Sequence, residues 1–506
     1  EWAQDNGVPR QITCEGDRPQ VADEIPPQDI PDLELGDNQC EWGFRGTLSV
    51  HHGLPLLRDE IGQSPLANVK VRVVGSKPST GNQWLLGNPW PTVRTDEYGR
   101  FAIREAKDCG RRRMKLEIKF QDDELEVRHR RSTSSLTKVK WYELDTKIDE
   151  GGSVVIADYE LGQPADEPGI LVEDAATMWW HADIWTLYKT IIGQMKSRGP
   201  EYAFYKQVKI KYPHDGIAGD DAESAYANPQ NGVIYIPSVT PANNFTVDTL
   251  VHELGHIWSY QHSITSTNSV VPIFNQTVTH CLTAGLLEGL KFETHGLVSD
   301  RCVAFHEGFA EFYKDHVLYE LFGNNHQLCR DSDDDGINDC QLTRPVPYSR
   351  AYLAQGPWPN DPPTPLTDLQ FLERHDMGWY SAFHALTDRN RSTHLYGPPT
   401  TESDNPDWFV ARTESPRCNN RLGPQLTFWD ILKSFNPGAG YPAFRPIGLQ
   451  TEYRYPTLQP LNDTRLDNYL ERLAATSGKM TPDDIVAMRR MIDPAESVEA
   501  WDLYCP

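Results

Sequence analysis

No feature of this chain limits its possible folds more than the string His252-Glu253-Leu254-Gly255-His256. Residues four apart on an α-helix share a face, so this spacing lets both imidazoles reach a single metal ion. Glu253, one residue on, then stands beside the ion rather than bound to it, where it can take a proton from water. The rival reading is a chance pattern on a His-rich helix, which a chain of 506 residues makes worth weighing. The surroundings decide between them.

The segment before the motif, Phe245 to Val251, starts polar and turns apolar. Thr246 or Asp248 is placed to cap a helix there, and Leu250, Val251, Leu254 and Ile257 supply its buried face. Upstream, Gly232-Val233-Ile234-Tyr235-Ile236-Pro237 predicts a short strand, and its proline suits an edge strand or a strand end. An edge strand beside a metal helix can bind an extended peptide by adding it to the sheet. An ordinary core strand fits the same residues.

Two imidazoles make half of a tetrahedral site, and a catalytic zinc needs a third protein ligand and an open position. Two residues compete. His262 stands ten residues after His252, the spacing of the long motif HExxHxxGxxH, but Ser259 occupies the position where that motif turns on glycine. Met377, in His375-Asp376-Met377-Gly378, also makes no convincing methionine turn. The other candidate is Glu307 in Phe305-His306-Glu307-Gly308-Phe309-Ala310-Glu311-Phe312. Glu307 and Glu311 lie one turn apart on a helical face. One can bind metal while the other accepts a hydrogen bond from a ligand His and fixes its tautomer.

Over residues 175–320 these two motifs resemble the gluzincin class of metallopeptidases, which includes thermolysin-like enzymes and zinc aminopeptidases. The resemblance implies Glu307 as third zinc ligand, Ala310 as the small residue three positions on and Glu311 as the acidic partner of a ligand His. His306 replaces the Asn or Gly often found before the ligand. His262 stays the alternative ligand. The implied activity is peptide-bond hydrolysis by metal-activated water, with Glu253 as general base. Tyr348, Tyr352, His375 and Tyr380 are candidates for stabilising the oxyanion, and nothing in the sequence selects among them. Two other functions stay open: an extracellular assembly or adhesion subunit with a vestigial metal site, and a hydrolase for a non-peptide bond.

Charge narrows the partners. With 48 basic against 72 acidic residues the net charge is −24, which argues against nucleic acid or an anionic membrane surface. A peptide or protein substrate is the expected partner. No run of about 18 apolar residues exists, so no membrane span is expected. The chain starts at Glu1 without a signal-like segment, as a processed mature protein would. Its nine cysteines form no CxxC zinc pattern, and their placement suggests pairs Cys14–Cys40, Cys281–Cys302, Cys329–Cys340 and Cys418–Cys505. That points to an oxidising compartment outside the cell.

The expected fold is α+β and multidomain. Residues 1–42 read as an extended arm rich in Pro, Asp and Gln. Residues 43–161 read as all β, with alternation at Gly46–Val50, Val69–Val73 and Met114–Phe120 and a turn entering a strand at Thr95–Phe101. This stretch resembles transthyretin-like or carboxypeptidase-regulatory β-sandwich modules, which implies a folding or assembly role and possible self-assembly or surface docking. Residues 162–340 read as a zincin-like lobe, with a helix at 174–198 and a strand at Gln207–Lys211. Residues 341–506 read as a largely helical lower lobe, with helical stretches near 366–388, 425–435, 465–476 and 481–492. Within the second lobe, the acidic loop 331–339 suggests a calcium site. Asp331, Asp333, Asp335 and Asp339 alternate around Gly336, and the Ile337 carbonyl adds another oxygen. The start resembles an EF-hand loop or a thrombospondin type 3 repeat, but Leu342 stands where an EF-hand has its bidentate Glu.

Overall fold

The computed structural model describes residues 34–76, 92–109, 113–129, 139–148, 154–156, 158–162, 173–214, 225–237, 246–263, 301–322, 426–435 and 466–482, and single positions at 379, 382, 383, 386 and 485. The described residues form a mixture of helix and sheet.

The long strand β1 (Gln39–His51) organises the N-terminal half, and it starts inside the predicted arm. After β1 come α1 (Pro55–Glu60), β2 (Gln63–Pro65), β3 (Lys70–Ser76), β4 (Thr92–Arg94) and β5 (Arg100–Asp108). Then follow β6 (Arg113–Lys119), β7 (Leu125–Arg128), β8 (Tyr142–Ile148), β9 (Val154–Ile156) and β10 (Tyr159–Leu161). The first half of β1 pairs antiparallel with β5 and parallel with β9. Its second half pairs antiparallel with β2 and parallel with β10. A second sheet runs β4-β3-β6-β8. Alternation does its expected work in β3, where Val71 and Val73 are buried while Arg72 reaches outward to Glu117, its cross-strand partner on β6. The turn into β5 is built by Asp96, whose side chain accepts from the Tyr98 and Arg100 amides, and by Gly99 at φ +74°. A Cβ at Gly99 would lie 2.2 Å from the Leu48 carbonyl oxygen, so the turn also needs glycine for space.

Cys40 is bonded to Cys109, which overturns the expected Cys14–Cys40 pair. The cause is register: β1 and β5 place Cys40 opposite Lys107, and the Cys109 amide donates to Asn38 O just beyond the ladder. Local sequence spacing carries no trace of that pairing. The other expected pairs involve residues outside those described, as does the acidic loop 331–339.

The helix α2 (Glu173–Arg198) joins the two halves. Trp179, Ala182, Ile184, Trp185, Leu187, Tyr188, Ile191 and Ile192 are all buried, so α2 is covered on more than one side. Trp179 and Trp185 donate their indole N–H groups to His51 O and Ala67 O, tying α2 to the N-terminal sheets. On the other side, Tyr188 donates to Leu250 O.

The next sheet contains β11 (Val208–His214), β12 (Tyr226–Asn228) and β13 (Val233–Pro237), in the order β12-β13-β11-β7. Two expectations change here. Strand β7, read as part of the N-terminal module, pairs parallel with β11, so it belongs to the sheet beside the helix that carries His252 and His256. Strand β13, read as a possible edge, lies between β12 and β11; among the described residues the edges of this sheet are the three-residue β12 and β7. Pro237 does fall at the strand's end.

Helices α3 (Val247–Ser263), α4 (Arg301–Phe322), α5 (Phe428–Phe435) and α6 (Leu466–Ser477) complete the described elements. The last two coincide with helical stretches expected in the C-terminal lobe. A buried aromatic cluster of Trp258, Phe305, Phe309, Trp379, Phe383, Phe435 and Tyr469 knits α3 and α4 to α5 and α6. Among the described residues, no helix is long and apolar enough to cross a membrane.

Candidate metal centre

Helix α3 starts where its sequence says it should. Thr246 Oγ1 accepts from the Thr249 amide at 3.3 Å, the N-cap contact, and Leu250, Val251, Leu254 and Ile257 are fully buried. With that face inward, His252 and His256 come to lie together on a different side of the helix. Their Nε2 atoms are 3.0 Å apart and their rings are nearly perpendicular, at 85°.

Helix α4 crosses α3 at close range, and two small residues allow it. A Cβ on Gly255 would meet Ala310 Cα at 3.1 Å and Tyr313 Cδ1 at 3.2 Å. The glycine within the HELGH string and the alanine three residues past Glu307 are therefore the crossing point. The close approach brings Glu307 Oε2 to 3.4 Å from His252 Nε2 and 3.2 Å from His256 Nε2. Among the described residues these three side chains are the group whose ligand atoms converge, all within 4.8 Å of one another.

The donor set fits a zinc ion. Bonds of about 2.0–2.1 Å at tetrahedral angles separate ligand atoms by roughly 3.3 Å, close to the 3.0–3.4 Å found here. Glu307 is the most accessible of the three, with a third of its side chain exposed (33%) against 11% and 12% for the two His. The cluster is thus walled by protein on the His side and open on the Glu side. Glu253 is 7% exposed, one position along α3 from His252.

Glu311 stands one turn after Glu307 and places Oε1 2.8 Å from His252 Nδ1, close enough to orient the ring although off the ideal N–H direction. Behind it Lys314, itself buried, ion-pairs with Glu311 and lies 3.8 Å from Asp315. Burial disfavours the Glu311 carboxylate, but Lys314 and His252 outweigh it and hold its pKa well below the usual range. Burial likewise opposes the charge on Glu307, and the two His rings overcome it, again lowering the pKa. Burial also works against a charged His252; Glu311, Glu307 and Glu253 prevail, and its pKa lies well above normal.

His262, the alternative ligand, stays away from the cluster. Its Nε2 meets Ala203 O at 3.0 Å and its ring stacks on Trp258 with centroids 4.0 Å apart. Helix α3 runs on unbroken through Ser263, so the chain does not turn back at Ser259 to bring His262 to the cluster. Ser259 Oγ instead bonds His256 O and meets His306 Nδ1, both at 3.1 Å. Burial, reinforced by His256, pushes the His306 pKa down to about 3, so the ring beside Glu307 is neutral. Lys314 and the Gly255–Ala310 contact escaped the sequence reading. Lys314 had a signal, three residues after Glu311 on the same face, whereas the helix crossing had none. The expected calcium ligands Asp331, Asp333, Asp335, Ile337 and Asp339, and the oxyanion candidates Tyr348, Tyr352, His375 and Tyr380, lie outside the described residues. No protein-family model, curated protein or solved structure matches this chain.

Proposed function

We propose that the chain is a zinc-dependent peptidase of the gluzincin kind. The observation that carries this reading is the convergence of His252, His256 and Glu307 from two helices at 3.0–3.4 Å, with one side open. A zinc ion held by these three residues would supply Lewis acidity, polarising a carbonyl and lowering the pKa of a bound water toward about 7. The chain's own residues do the rest. Glu253 takes the proton of the attacking water and passes it to the leaving amine as the peptide C–N bond breaks. Glu311, kept anionic by Lys314, holds the His252 ring in the orientation that points Nε2 at the cluster. The open Glu307 side admits an extended peptide or protein substrate.

The same reading takes residues 43–161 as an accessory module before a catalytic lobe and a helical lobe. It places the protein outside the cell, in keeping with the Cys40–Cys109 bond. It also assigns calcium to the loop 331–339 in a stabilising role. A calcium chelator too weak to strip zinc should lower the melting temperature without changing zinc content, and an unchanged melt would remove that assignment.

Glu253→Gln tests the peptidase directly. The variant should retain zinc and lose about 10²–10⁴-fold in turnover of a peptide library. Undiminished cleavage would eliminate Glu253 as the base. A wild-type chain that binds no metal, cleaves nothing and self-associates would instead favour an assembly subunit.

A further inference from the structure

A second constellation lies away from the metal centre, where the end of β1 meets α2. His52 and Ser64 are diagonal neighbours on one face of the β1–β2 pair. Val50 is opposite Ser64 in the ladder, His52 is two residues beyond Val50, and the His52 amide donates to Gly62 O. Ser64 Oγ lies 2.7 Å from His52 Nε2, and His52 Nδ1 lies 2.5 Å from Asp183 Oδ1. The other oxygen of Asp183 accepts from the Gly53 and Leu54 amides, both at 2.8 Å. His52 and Asp183 are buried, at 4% and 0% exposure, whereas Ser64 is only partly covered.

Each element of this arrangement has a chemical consequence. Two backbone donors and full burial fix the Asp183 carboxylate in one orientation. An anion at Nδ1 sets the His52 tautomer, with the proton on Nδ1 and the lone pair on Nε2. That lone pair then faces the Ser64 hydroxyl at hydrogen-bond distance, the relation in which an imidazole activates a serine. Packing also fixes the backbone on both sides of His52. Trp179 donates to His51 O, and a Cβ on Gly53 would lie 2.4 Å from the Trp179 ring. Ser64 itself is only partly buried, which leaves its side chain within reach of solvent.

We propose that Ser64, His52 and Asp183 form a second, metal-independent centre, in which Ser64 is a nucleophile for small acyl esters. Ser64 Oγ bonds to the ester carbonyl carbon while its proton passes to His52 Nε2. The C–O bond to the alcohol breaks as His52 returns that proton to the leaving oxygen. Water, activated by the same imidazole, then releases the acid and restores the serine.

A fluorophosphonate is the probe. Attack by Ser64 forms an O–P bond, expels fluoride and leaves one stable adduct visible by intact mass and peptide mapping. The expected result is a single adduct on Ser64 in the full chain, absent in Ser64→Ala. Labelling should be unchanged by zinc chelation and in Glu253→Gln, so that its outcome is separate from that of the peptidase reading. Its rate should fall about 10²–10⁴-fold in Asp183→Asn. The proposal is overturned by an adduct distribution in which Ser64 reacts no faster than other serines. The adduct distribution is read on the wild-type chain and decides the matter even if Asp183→Asn does not fold.

Discussion

His252 is the residue on which the most constraints meet, because its two ring nitrogens face different carboxylates. Nε2 points into the cluster with Glu307, and Nδ1 faces Glu311, which in turn faces Lys314. Replacing Glu311 by Gln should weaken zinc binding about 10–100-fold by releasing the ring, measured by competition with a chromophoric chelator. An unchanged affinity would mean that backbone packing alone sets the ring. Lys314 belongs to the same chain of charges but touches no ligand, so its effect should appear as stability. Lys314→Met leaves Glu311 without its buried counter-charge and should cost about 3–5 kcal/mol in chemical denaturation. A loss under about 1 kcal/mol would place the pair with weak surface ion pairs.

At the scale of elements, the site depends on how closely α3 and α4 approach at Gly255 and Ala310. Gly255→Leu gains about 1 kcal/mol of helix propensity but forces the helices apart. The net should be a loss of about 1–3 kcal/mol and at least a tenfold drop in metal affinity. Retained affinity with a normal melt would show that the crossing has slack. Much of this was legible beforehand for a simple reason: the α3 cap, its buried face, the paired His and the Glu307–Glu311 turn are all encoded within one helix each. The choice between Glu307 and His262 was not, since it turns on whether α3 bends at Ser259 and on where α4 crosses. Pairings across long separations left no local mark either. Strand β7 joins β11 in parallel, and His52 meets Asp183 across 131 residues, contacts that no periodicity announces. Local pattern names candidate ligands; tertiary packing decides which of them come together.

For the whole molecule, buried histidines set the response to acid. Burial pushes His181 down to about 3, with a backbone contact at Tyr212 O opposing, and does the same to His262 against its contact with Ala203 O. Both are neutral when folded and take up protons below about pH 6.5 when unfolded. Stability they contribute is therefore present above that value and lost as pH falls toward about 3. Between pH 6.5 and 4.5 the stability contributed by the depressed carboxylates Glu307 and Glu311 is still present and adds no slope, because even their unfolded forms stay mostly ionised. Denaturation across this window should steepen by about 1.4 kcal/mol per pH unit for each of the three depressed rings, His181, His262 and His306. A flat profile would mean that these rings ionise in place.

The central claim is that two helices deliver His252, His256 and Glu307 to one divalent ion, and metal stoichiometry tests it most directly. Elemental analysis of the purified chain and of Glu307→Ala, after equilibration against limiting zinc, should give one ion per wild-type chain and a large loss in the variant. A wild-type chain without zinc, or a Glu307→Ala chain that keeps it in full, would contradict the account.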